Sequence, residues 1–326
     1  MSETLRGLWL EVRIIPVLLW SFSALTLGTA LAARGHDLKV WYYLGAVALG
    51  VLIQGLLAHS VNEVEDWRSG TDRHASPRVI SGGSKVIVAG LLQPRALWCV
   101  FAAAFAATTV IGLALVAARG LVMLPFGLVG VAGAILYTLP PVRAAYRPFA
   151  GEAIAFVCLA DCVLGAHLLQ GPAIDGTTVA AAVAVAGYAV SMLMVHHYLD
   201  HDADAAADPP KVTSIVRLGL VNGRRYAIAW CLVAMAAALA GSAAQPRLLP
   251  LVFGYAIGLA AHLRCRPADV ASVTMCETVI IFAGIASALV AATLLEPPLV
   301  LTLLVAAVLI ALEMRMAVAP AHTPAA

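Results

Sequence analysis

Charged residues are scarce in this chain of 326 residues. Asp, Glu, Lys and Arg make up 12% of it and hydrophobic residues 62%, and the mean hydropathy is +0.93. Soluble domains carry about twice that share of charge, so the composition excludes a domain solvated by water on all sides. The formal net charge is only +2, and no basic run is present that would indicate nucleic-acid binding.

Cysteine is also sparse, and its spacing excludes two common kinds of site. No Cys-x-x-Cys pair occurs, so we predict neither a zinc site nor a disulfide framework and interpret the cysteines as apolar packing residues. No cleavable signal peptide is evident, because the first apolar run follows a short polar segment with Arg6, Glu11 and Arg13. The six cysteines are Cys99, Cys158, Cys162, Cys231, Cys265 and Cys276.

Long apolar runs dominate the rest of the chain. They are rich in Ala and Leu and show no alternation with a period of two, which excludes strands. Each run is long enough to cross about 30 Å of hydrocarbon as a helix. The sequence therefore predicts an all-α, polytopic transmembrane bundle of nine to ten spans. These are residues 14–33, 40–61, 96–118, 120–138, 150–170, 176–198, 226–244, 247–263, 270–294 and 298–316.

The basic residues predict the orientation of this bundle. With ten spans, 16 of the 20 Lys and Arg residues fall on the side that holds both termini and the even-numbered loops. Cytoplasmic loops carry the excess of Lys and Arg in membrane proteins. We therefore predict an integral protein of a prokaryotic cell membrane with both termini in the cytoplasm. The four exceptions are Arg34, Lys39, Arg119 and Arg247.

Eight of the 18 carboxylates form two clusters, residues 62–72 and 200–208, which the predicted topology places on the same cytoplasmic face. Each cluster contains a pair spaced i, i+4, so both members share one helix face. Asp72 lies beyond Gly70, where we expect the helix to have ended in a loop. Magnesium takes a few carboxylates and leaves its other positions to water and substrate phosphate. The pairs are Asn62 with Asp66 and Asp200 with Asp204.

These motifs resemble those of the UbiA superfamily of intramembrane prenyltransferases. That family has an Asn-x-x-x-Asp motif with a further Asp downstream, and an Asp-x-x-x-Asp motif four helices later. Residues 66–72, with Gly70 before the last Asp, are similar to the 1,4-dihydroxy-2-naphthoate prenyltransferase branch. The resemblance covers residues 13–295. Three further stretches are similar to that branch: residues 86–92, 137–141 and 211–219.

The resemblance implies nine transmembrane helices around a central cavity that the acidic motifs cap. It implies that Mg²⁺, which Mn²⁺ could replace, holds a prenyl diphosphate whose tail runs down the cavity toward lipid. Ionisation then leaves an allylic cation that an electron-rich acceptor attacks. Elementary chemistry agrees, because diphosphate leaves poorly until cations neutralise it and the carbocation must be kept from water. The implied metal ligands are Asn62, Asp66, Asp200 and Asp204.

Further residues are candidates for binding the diphosphate. Arg68 follows the first motif and Lys211 the second, and both side chains suit phosphate. Tyr137 and Arg143 lie in the loop after the fourth span, whose counterpart in the family contacts diphosphate. Orientation by positive charge is the alternative role for the cations. The full set of diphosphate-binding candidates is Asn62, Arg68, Asp72, Lys211, Tyr137 and Arg143.

The chain departs from the branch mainly on the acceptor side. His196-His197 stand where the branch has Asn-Asn, Leu199 where it has Arg, and Ala160-Asp161 where it has Gly-Pro. A carboxylate in the middle of a span is a functional candidate by default. We therefore predict that Asp161 is catalytic together with Asp66 and Asp200, by orienting the acceptor or accepting its proton. The alternative is a structural hydrogen bond, such as one to His167.

The sequence predicts transfer of a prenyl group from an isoprenoid diphosphate to an aromatic or other lipophilic acceptor. Two alternatives remain: a UbiA-type terpene cyclase without a second substrate, and an ion-coupled transporter. We divide the chain into a cytoplasmic segment (1–13), a membrane domain (14–295), an additional helix (296–316) and a disordered tail (317–326). Expected partners are the prenyl diphosphate, the acceptor and membrane lipid, without nucleic acid.

Overall fold

A computed structural model describes residues 2–74, 80 and 83–317. This part of the chain contains helices and no strand, and ten helices are long and apolar enough to cross a membrane. The predicted fold class is therefore confirmed. Arg78 and residues 318–326 of the predicted tail lie outside the described residues. The helices are α1 Glu3–Ala33, α2 Val40–Ser69, α3 Pro94–Arg119, α4 Leu121–Thr138, α5 Ala150–Gln170, α6 Gly176–Tyr198, α7 Ser214–Ala244, α8 Pro246–Arg264, α9 Val270–Leu295 and α10 Pro297–Ala317.

Two helices are longer than the sequence predicts. Helix α2 continues eight residues past the predicted end at 61, and α7 begins twelve residues before the predicted start at 226. Hydropathy detects only the apolar part of a helix, which lipid solvates. The two extensions contain charged residues, so hydropathy did not assign them to the helices. The extension of α2 carries the first acidic motif, which other parts of the protein bury. The extension of α7 contains a kink at Gly219, whose φ of 71° favours glycine.

The N-terminal segment 1–13, for which the sequence predicts polar character but no secondary structure, is largely helical. Residues Glu3–Val12 form a helix whose first turn Ser2 caps by accepting a hydrogen bond from the Leu5 backbone N–H at 3.3 Å. Arg13 then adopts a left-handed conformation with φ of 54°. The chain changes direction there before residues 14–33 continue α1. The break places Arg13 at the mouth of the cavity described below.

Helices α1 and α2 both contain π-helical segments, Leu18–Phe22 and Val51–Ala58. Such segments disturb the regular backbone ladder and occur frequently at functional sites. The two segments contact each other, because the Ser21 backbone N–H donates to Gln54 Oε1 at 3.1 Å. They form adjacent parts of the cavity wall.

Small residues allow the central helices to approach closely. A Cβ on Gly28 of α1 would lie 2.2 Å from the Val163 carbonyl oxygen of α5, so only glycine fits there. On the other side of α6, Tyr188 stacks on Tyr255 with ring centroids 4.1 Å apart, and its hydroxyl fills the space above Gly258. Dense packing around α6 therefore supports one wall of the cavity.

The additional helix α10 lies at the periphery. It packs on α9 and on the first part of α1, where Arg6 Nη2 donates to the Met316 carbonyl at 3.0 Å. Its outer face exposes Leu301 and Leu304. No residue of α10 is among those that line the cavity in the described structure.

Candidate active site

A cavity of about 500 Å³ runs into the bundle from the end that carries the acidic motifs. Its walls come mainly from α1 to α6, with Glu277 and Ile281 of α9 closing one side. Most of the predicted site residues meet here although they are far apart in sequence. Those that line the cavity are Asn62, Asp66, Asp72, Tyr137, Asp161, Asp200, Asp204 and Lys211.

The first motif occupies the last turns of α2. Asn62 Nδ2 donates to Asp66 Oδ2 at 2.8 Å, which confirms that the i, i+4 pair shares one face. Thr138 Oγ1 donates to Asn62 Oδ1 at 3.3 Å, and Tyr146 OH donates to Asp66 Oδ1 at 2.9 Å. Both side chains are therefore oriented before any ligand binds.

Asp72 follows the end of α2, where Gly70 adopts φ of 81°. It lies in the short helix Thr71–His74, so the predicted loop position is wrong while the predicted helix end is confirmed. Burial, together with the negative charges of Asp66 and Glu63, raises the pKa of Asp72 to about 8. Its Oδ2 atom is buried and has no hydrogen-bond partner among the described residues. This carboxylate is thus placed to receive a cation.

The second motif spans a break after α6. Helix α6 ends at Tyr198, and Asp200 precedes the short helix His201–Ala206. The Asp204 backbone N–H donates to the Asp200 carbonyl at 2.7 Å, so the two carboxylates keep their helical i, i+4 spacing across the break. Both are buried and line the cavity.

His196 connects the second motif to α9. Its Nε2 lies 3.7 Å from Asp200 Oδ2, and its Nδ1 lies 3.3 Å from Glu277 Oε1. His196 stands where the naphthoate prenyltransferase branch has an asparagine. It therefore contacts two carboxylates, those of Asp200 and Glu277. Both His196 and Asp200 line the cavity.

Lys211 joins the two motifs. Its backbone N–H donates to the Asp204 carbonyl at 2.9 Å, while its Nζ donates to both carboxylate oxygens of Asp66, each at 2.9 Å. Burial alone lowers the pKa of this amine, but the charges of Asp66 and Asp204 outweigh that effect and hold the pKa well above its usual value. Lys211 is therefore a cation fixed between the two acidic motifs.

Arg68 and Arg143 lie outside the cavity. Arg68 Nη1 is 2.9 Å from Glu65 Oε1 and more than half exposed, and Arg143 forms an ion pair with the other oxygen of Glu65. Neither is among the described residues that line the cavity. Their predicted contact with diphosphate stays a prediction. In the structure, both arginines pair with the carboxylate of Glu65.

The carboxylates suit a metal that is shared with a ligand. Within residues 2–74, 80 and 83–317, no three His, Cys, Asp or Glu side chains converge on one point. Asp66 and Asp72 come from the end of α2 and the short helix after it, and Asp200 and Asp204 come from the segment after α6. All four line the cavity, and the buried Oδ2 of Asp72 lacks a partner among the described residues. This donor set fits Mg²⁺, which keeps waters and substrate phosphate oxygens in its coordination shell.

Asp161 projects into the middle of the cavity from α5. The predicted alternative partner His167 is engaged elsewhere: its Nε2 lies 3.1 Å from the Ala173 carbonyl and its Nδ1 lies 3.2 Å from Thr178 Oγ1. No hydrogen bond or ion pair of Asp161 occurs in the described part of the chain. The interpretation of Asp161 as a partner of His167 is therefore wrong.

Two further residues, Arg13 and His59, line the cavity although the sequence did not predict them as site residues. His59 Nδ1 lies 3.2 Å from the Val12 carbonyl, next to the break at Arg13. A signal for His59 existed, because it lies three residues before Asn62 on the same helix face. Arg13 could have been suspected as a cation on the side of the motifs, directly before an apolar span.

Glu63 anchors a loop that follows the first motif. Ser84 Oγ lies within hydrogen-bond distance of both Glu63 Oε2, at 2.7 Å, and Glu11 Oε2, at 2.6 Å. The backbone N–H groups of Lys85 and Ile87 also donate to Glu63, at 3.0 and 3.3 Å. Glu63 therefore holds this loop against the motif end of the cavity.

The cavity also opens sideways between α3 and α4. Leu113 of α3 and Leu128 of α4 line it and are 58% and 59% exposed. A Cβ on Gly112 or Gly127 would meet no atom within 4 Å, so the two helices are loosely packed there. This opening, which we call the α3–α4 seam, faces the region that lipid solvates.

Comparison with known proteins agrees with this geometry. Residues 19–275 match the model of the UbiA prenyltransferase family. The 1,4-dihydroxy-2-naphthoate octaprenyltransferase of Mycobacterium tuberculosis is 30% identical over 238 residues, which are 67% of this chain and 78% of the relative. The enzyme of the same name from Mycobacterium leprae is 29% identical over 200 residues, 61% of this chain and 65% of the relative.

Solved structures share the fold. A UbiA homologue from Archaeoglobus fulgidus bound to GPP and Mg²⁺ has a TM-score of 0.64 at 14% identity, over 90% of this chain and 100% of that one. A digeranylgeranylglyceryl phosphate synthase has a TM-score of 0.57 at 12% identity, over 88% and 99% of the two chains. Together with the paired acidic motifs around one cavity, these similarities show that the chain belongs to the UbiA prenyltransferase family and is a membrane-embedded prenyltransferase.

Proposed function

We propose that this enzyme transfers a prenyl group from an isoprenoid diphosphate to an aromatic acceptor within the membrane, with Mg²⁺ as its cofactor. The observation that carries the proposal is the meeting of two acidic pairs at one cavity, bridged by Lys211. The similar archaeal protein is described with GPP and Mg²⁺, and the similar mycobacterial enzymes are named for 1,4-dihydroxy-2-naphthoate. The names of the mycobacterial enzymes support an aromatic acceptor.

The reaction breaks the bond between C1 of the prenyl group and the diphosphate oxygen. The electron pair leaves with the diphosphate, a bond forms between C1 and a carbon of the acceptor ring, and the ring releases a proton. Bound Mg²⁺ would neutralise charge on the departing diphosphate. Asn62, Asp66, Asp200 and Asp204 would hold the metal, with Asp72 beside them.

Other residues of the chain position and shield the reactants. Lys211 supplies a buried ammonium where the diphosphate would bind, and a point charge of this kind suits phosphate oxygens. Tyr137 lines the same end of the cavity. The apolar walls below exclude water, which would otherwise capture the carbocation.

We propose further that the motif end of the cavity faces the cytoplasm of a prokaryotic cell. The distribution of Lys and Arg supports this orientation, since 16 of 20 lie on the side of the motifs in a ten-span topology. Prenyl diphosphate would then reach the metal end from the cytoplasm, while the acceptor and product would exchange with lipid through the α3–α4 seam.

A product assay on the purified protein in lipid nanodiscs tests the proposal. Prenyl diphosphates of several lengths are supplied with or without 1,4-dihydroxy-2-naphthoate, 4-hydroxybenzoate or homogentisate, and products are identified by mass spectrometry. We expect a prenylated acceptor and diphosphate only when both substrates are present. Hydrocarbon or alcohol products from the prenyl diphosphate alone would overturn the proposal in favour of a terpene cyclase.

A further inference from the structure

A continuous series of contacts connects the additional helix α10 to the cavity mouth, although no described residue of α10 lines the cavity. The series runs through the N-terminal helix Glu3–Val12 and through residues 83–92, which we call the mouth segment. Both α10 and the N-terminal helix lie outside residues 19–275, which match the family model. The two helices are therefore not part of what this chain shares with that model.

The first contact joins α10 to the N-terminal helix. Arg6 Nη2 donates to the Met316 carbonyl at 3.0 Å. Glu313 of α10 is 6% exposed, and its carboxylate faces Trp9 with the positive charge of Arg13 nearby. Trp9 Nε1 and Glu313 Oε2 are both buried, and the described structure offers neither of them a different partner. Because a buried carboxylate is costly unless its surroundings compensate it, Glu313 favours the arrangement in which the N-terminal helix lies against α10.

The second contact joins the N-terminal helix to the mouth segment. A Cβ on Gly7 would lie 2.8 Å from Leu92 Cγ, so the two elements approach closely there. Leu8 packs on the apolar cluster that contains Leu92. Glu11 is fully buried, and its Oε2 lies 2.6 Å from Ser84 Oγ. A shift of the N-terminal helix would therefore move the mouth segment with it.

The third contact joins the mouth segment to the acidic motif. Gly83 lines the cavity, and a Cβ there would lie 3.5 Å from Asp72 Oδ1 and 3.6 Å from Glu63 Oε2. The rest of the segment forms a compact turn, in which the Leu91 backbone N–H donates to the Val86 carbonyl at 2.9 Å. The start of this turn thus lies directly beside Asp72, at the end of the cavity where we propose that diphosphate binds.

We infer that α10 positions the diphosphate end of the cavity: through Glu313 it fixes the N-terminal helix, which holds the mouth segment beside Asp72 and so keeps water from the reacting groups. This inference rests on the proposed transferase function. Glu313 and Glu11 are positioning residues in this arrangement, because they contact other parts of the protein and not the reactants.

A loosened mouth segment would let water compete with the acceptor. The bond between C1 of the prenyl group and the diphosphate oxygen breaks, and the electron pair leaves with the diphosphate. Water then attacks C1 in place of the acceptor, a C–O bond forms and a proton is released, which gives a prenyl alcohol. Exclusion of water from the site prevents this side reaction. A change that only lowers stability reduces the amount of folded enzyme and leaves the ratio of alcohol to prenylated acceptor unchanged.

Variants in nanodiscs with Mg²⁺, octaprenyl diphosphate and 1,4-dihydroxy-2-naphthoate test the inference. They are Glu313→Ala, Ser84→Ala and the matched control Leu312→Ala, whose side chain is 41% exposed on the same turn of α10. For the first two we expect the KM for the prenyl diphosphate to rise about 2- to 10-fold, the range of one hydrogen bond, and prenyl alcohol to appear beside the prenylated acceptor. Leu312→Ala should match the wild type. Glu313→Gln, which keeps an acceptor for Trp9, should restore the wild-type product ratio.

The combined variant decides whether α10 acts through the mouth segment. If it does, Ser84→Ala already releases the segment, and adding Glu313→Ala changes the KM by less than about twofold, the precision to which independent effects add. Effects that multiply in the combined variant would overturn the inference, and so would a lowered melting temperature of Glu313→Ala with an unchanged product ratio. If Glu313→Ala does not fold, Arg6→Met removes the other contact with α10 and is judged by the same criteria.

Failure of the proposed function gives a different result. The wild type itself would then form alcohol or hydrocarbon, or no prenylated acceptor at all, before any variant is compared with it. A wild type that forms only the prenylated acceptor, together with variants that form no alcohol, would contradict the role of α10 alone.

Discussion

Lys211 donates to both carboxylate oxygens of Asp66, at 2.9 Å each, and so links the loop after the second motif to the helix of the first. Both side chains are buried. The ammonium keeps the carboxylate compensated in the absence of a metal. When substrate binds, Mg²⁺ would replace Lys211 as the partner of Asp66, and the diphosphate would replace Asp66 as the partner of Lys211.

Replacement of this lysine tests its double role. Lys211→Met leaves Asp66 without its buried cation, and breaking such a pair costs about 3–5 kcal/mol. We expect the variant to melt at a lower temperature in EDTA, to regain much of the loss in Mg²⁺, and to show a raised KM for prenyl diphosphate. Arg217→Met, an exposed cation on the same face, is the control. Equal destabilisation with and without Mg²⁺ would contradict the exchange of partners.

The two acidic motifs should be equally necessary. Asp66→Ala and Asp200→Ala each remove one cavity-lining carboxylate, one from each motif. We expect turnover to fall by about 10²–10³-fold or more, the scale seen when one group that stabilises developing charge is removed. The fully exposed Asp202 belongs to the same motif, and Asp202→Ala should retain activity. Substantial activity of either purified, folded variant would contradict a metal site shared by the two motifs.

Chelation should abolish the reaction reversibly. The partnerless oxygen of Asp72 and the facing carboxylates have no comparable use without a hard cation. We expect EDTA to stop turnover, Mg²⁺ or Mn²⁺ to restore it, and the protein to remain folded throughout, as followed by its melting curve. Full turnover in metal-free buffer would be incompatible with the mechanism.

The α3–α4 seam should determine which chain lengths are accepted. Gly112→Leu and Gly127→Leu add side chains to open space at the seam, which the fold tolerates. We expect kcat/KM for octaprenyl diphosphate to fall about 10- to 100-fold, the range of steric discrimination in apolar pockets, while that for geranyl diphosphate changes little. Gly176→Leu, an equally open position away from the cavity, serves as the control. An equal loss for both lengths would show that the tail takes another path.

The fold was largely predictable because lipid imposes long apolar helices, and the acidic pairs were predictable because their spacing is periodic. The end of α2 and the start of α7 were missed, since protein rather than lipid surrounds those charged turns. The helix Glu3–Val12 was missed because it packs on α10 and contacts Ser84, and neither is near it in sequence.

The site was predictable where one element carries the signal and unpredictable where separate elements meet. Asn62 and Asp66 share a helix, so their pairing follows from their spacing. The contacts of Arg143 with Glu65 and of Lys211 with Asp66 join residues more than seventy positions apart. No spacing rule decides whether Arg143 meets a carboxylate or a phosphate.

The seam between α3 and α4 also determines the concentration unit in which the enzyme's affinity for its acceptor should be expressed. An acceptor that enters sideways is drawn from the bilayer, so the relevant concentration is its mole fraction in the lipid and not its amount per litre of buffer. Adding empty vesicles or detergent at constant total acceptor should therefore slow the reaction by surface dilution. Changes in the volume of water alone should leave the rate nearly constant once the prenyl diphosphate is saturating.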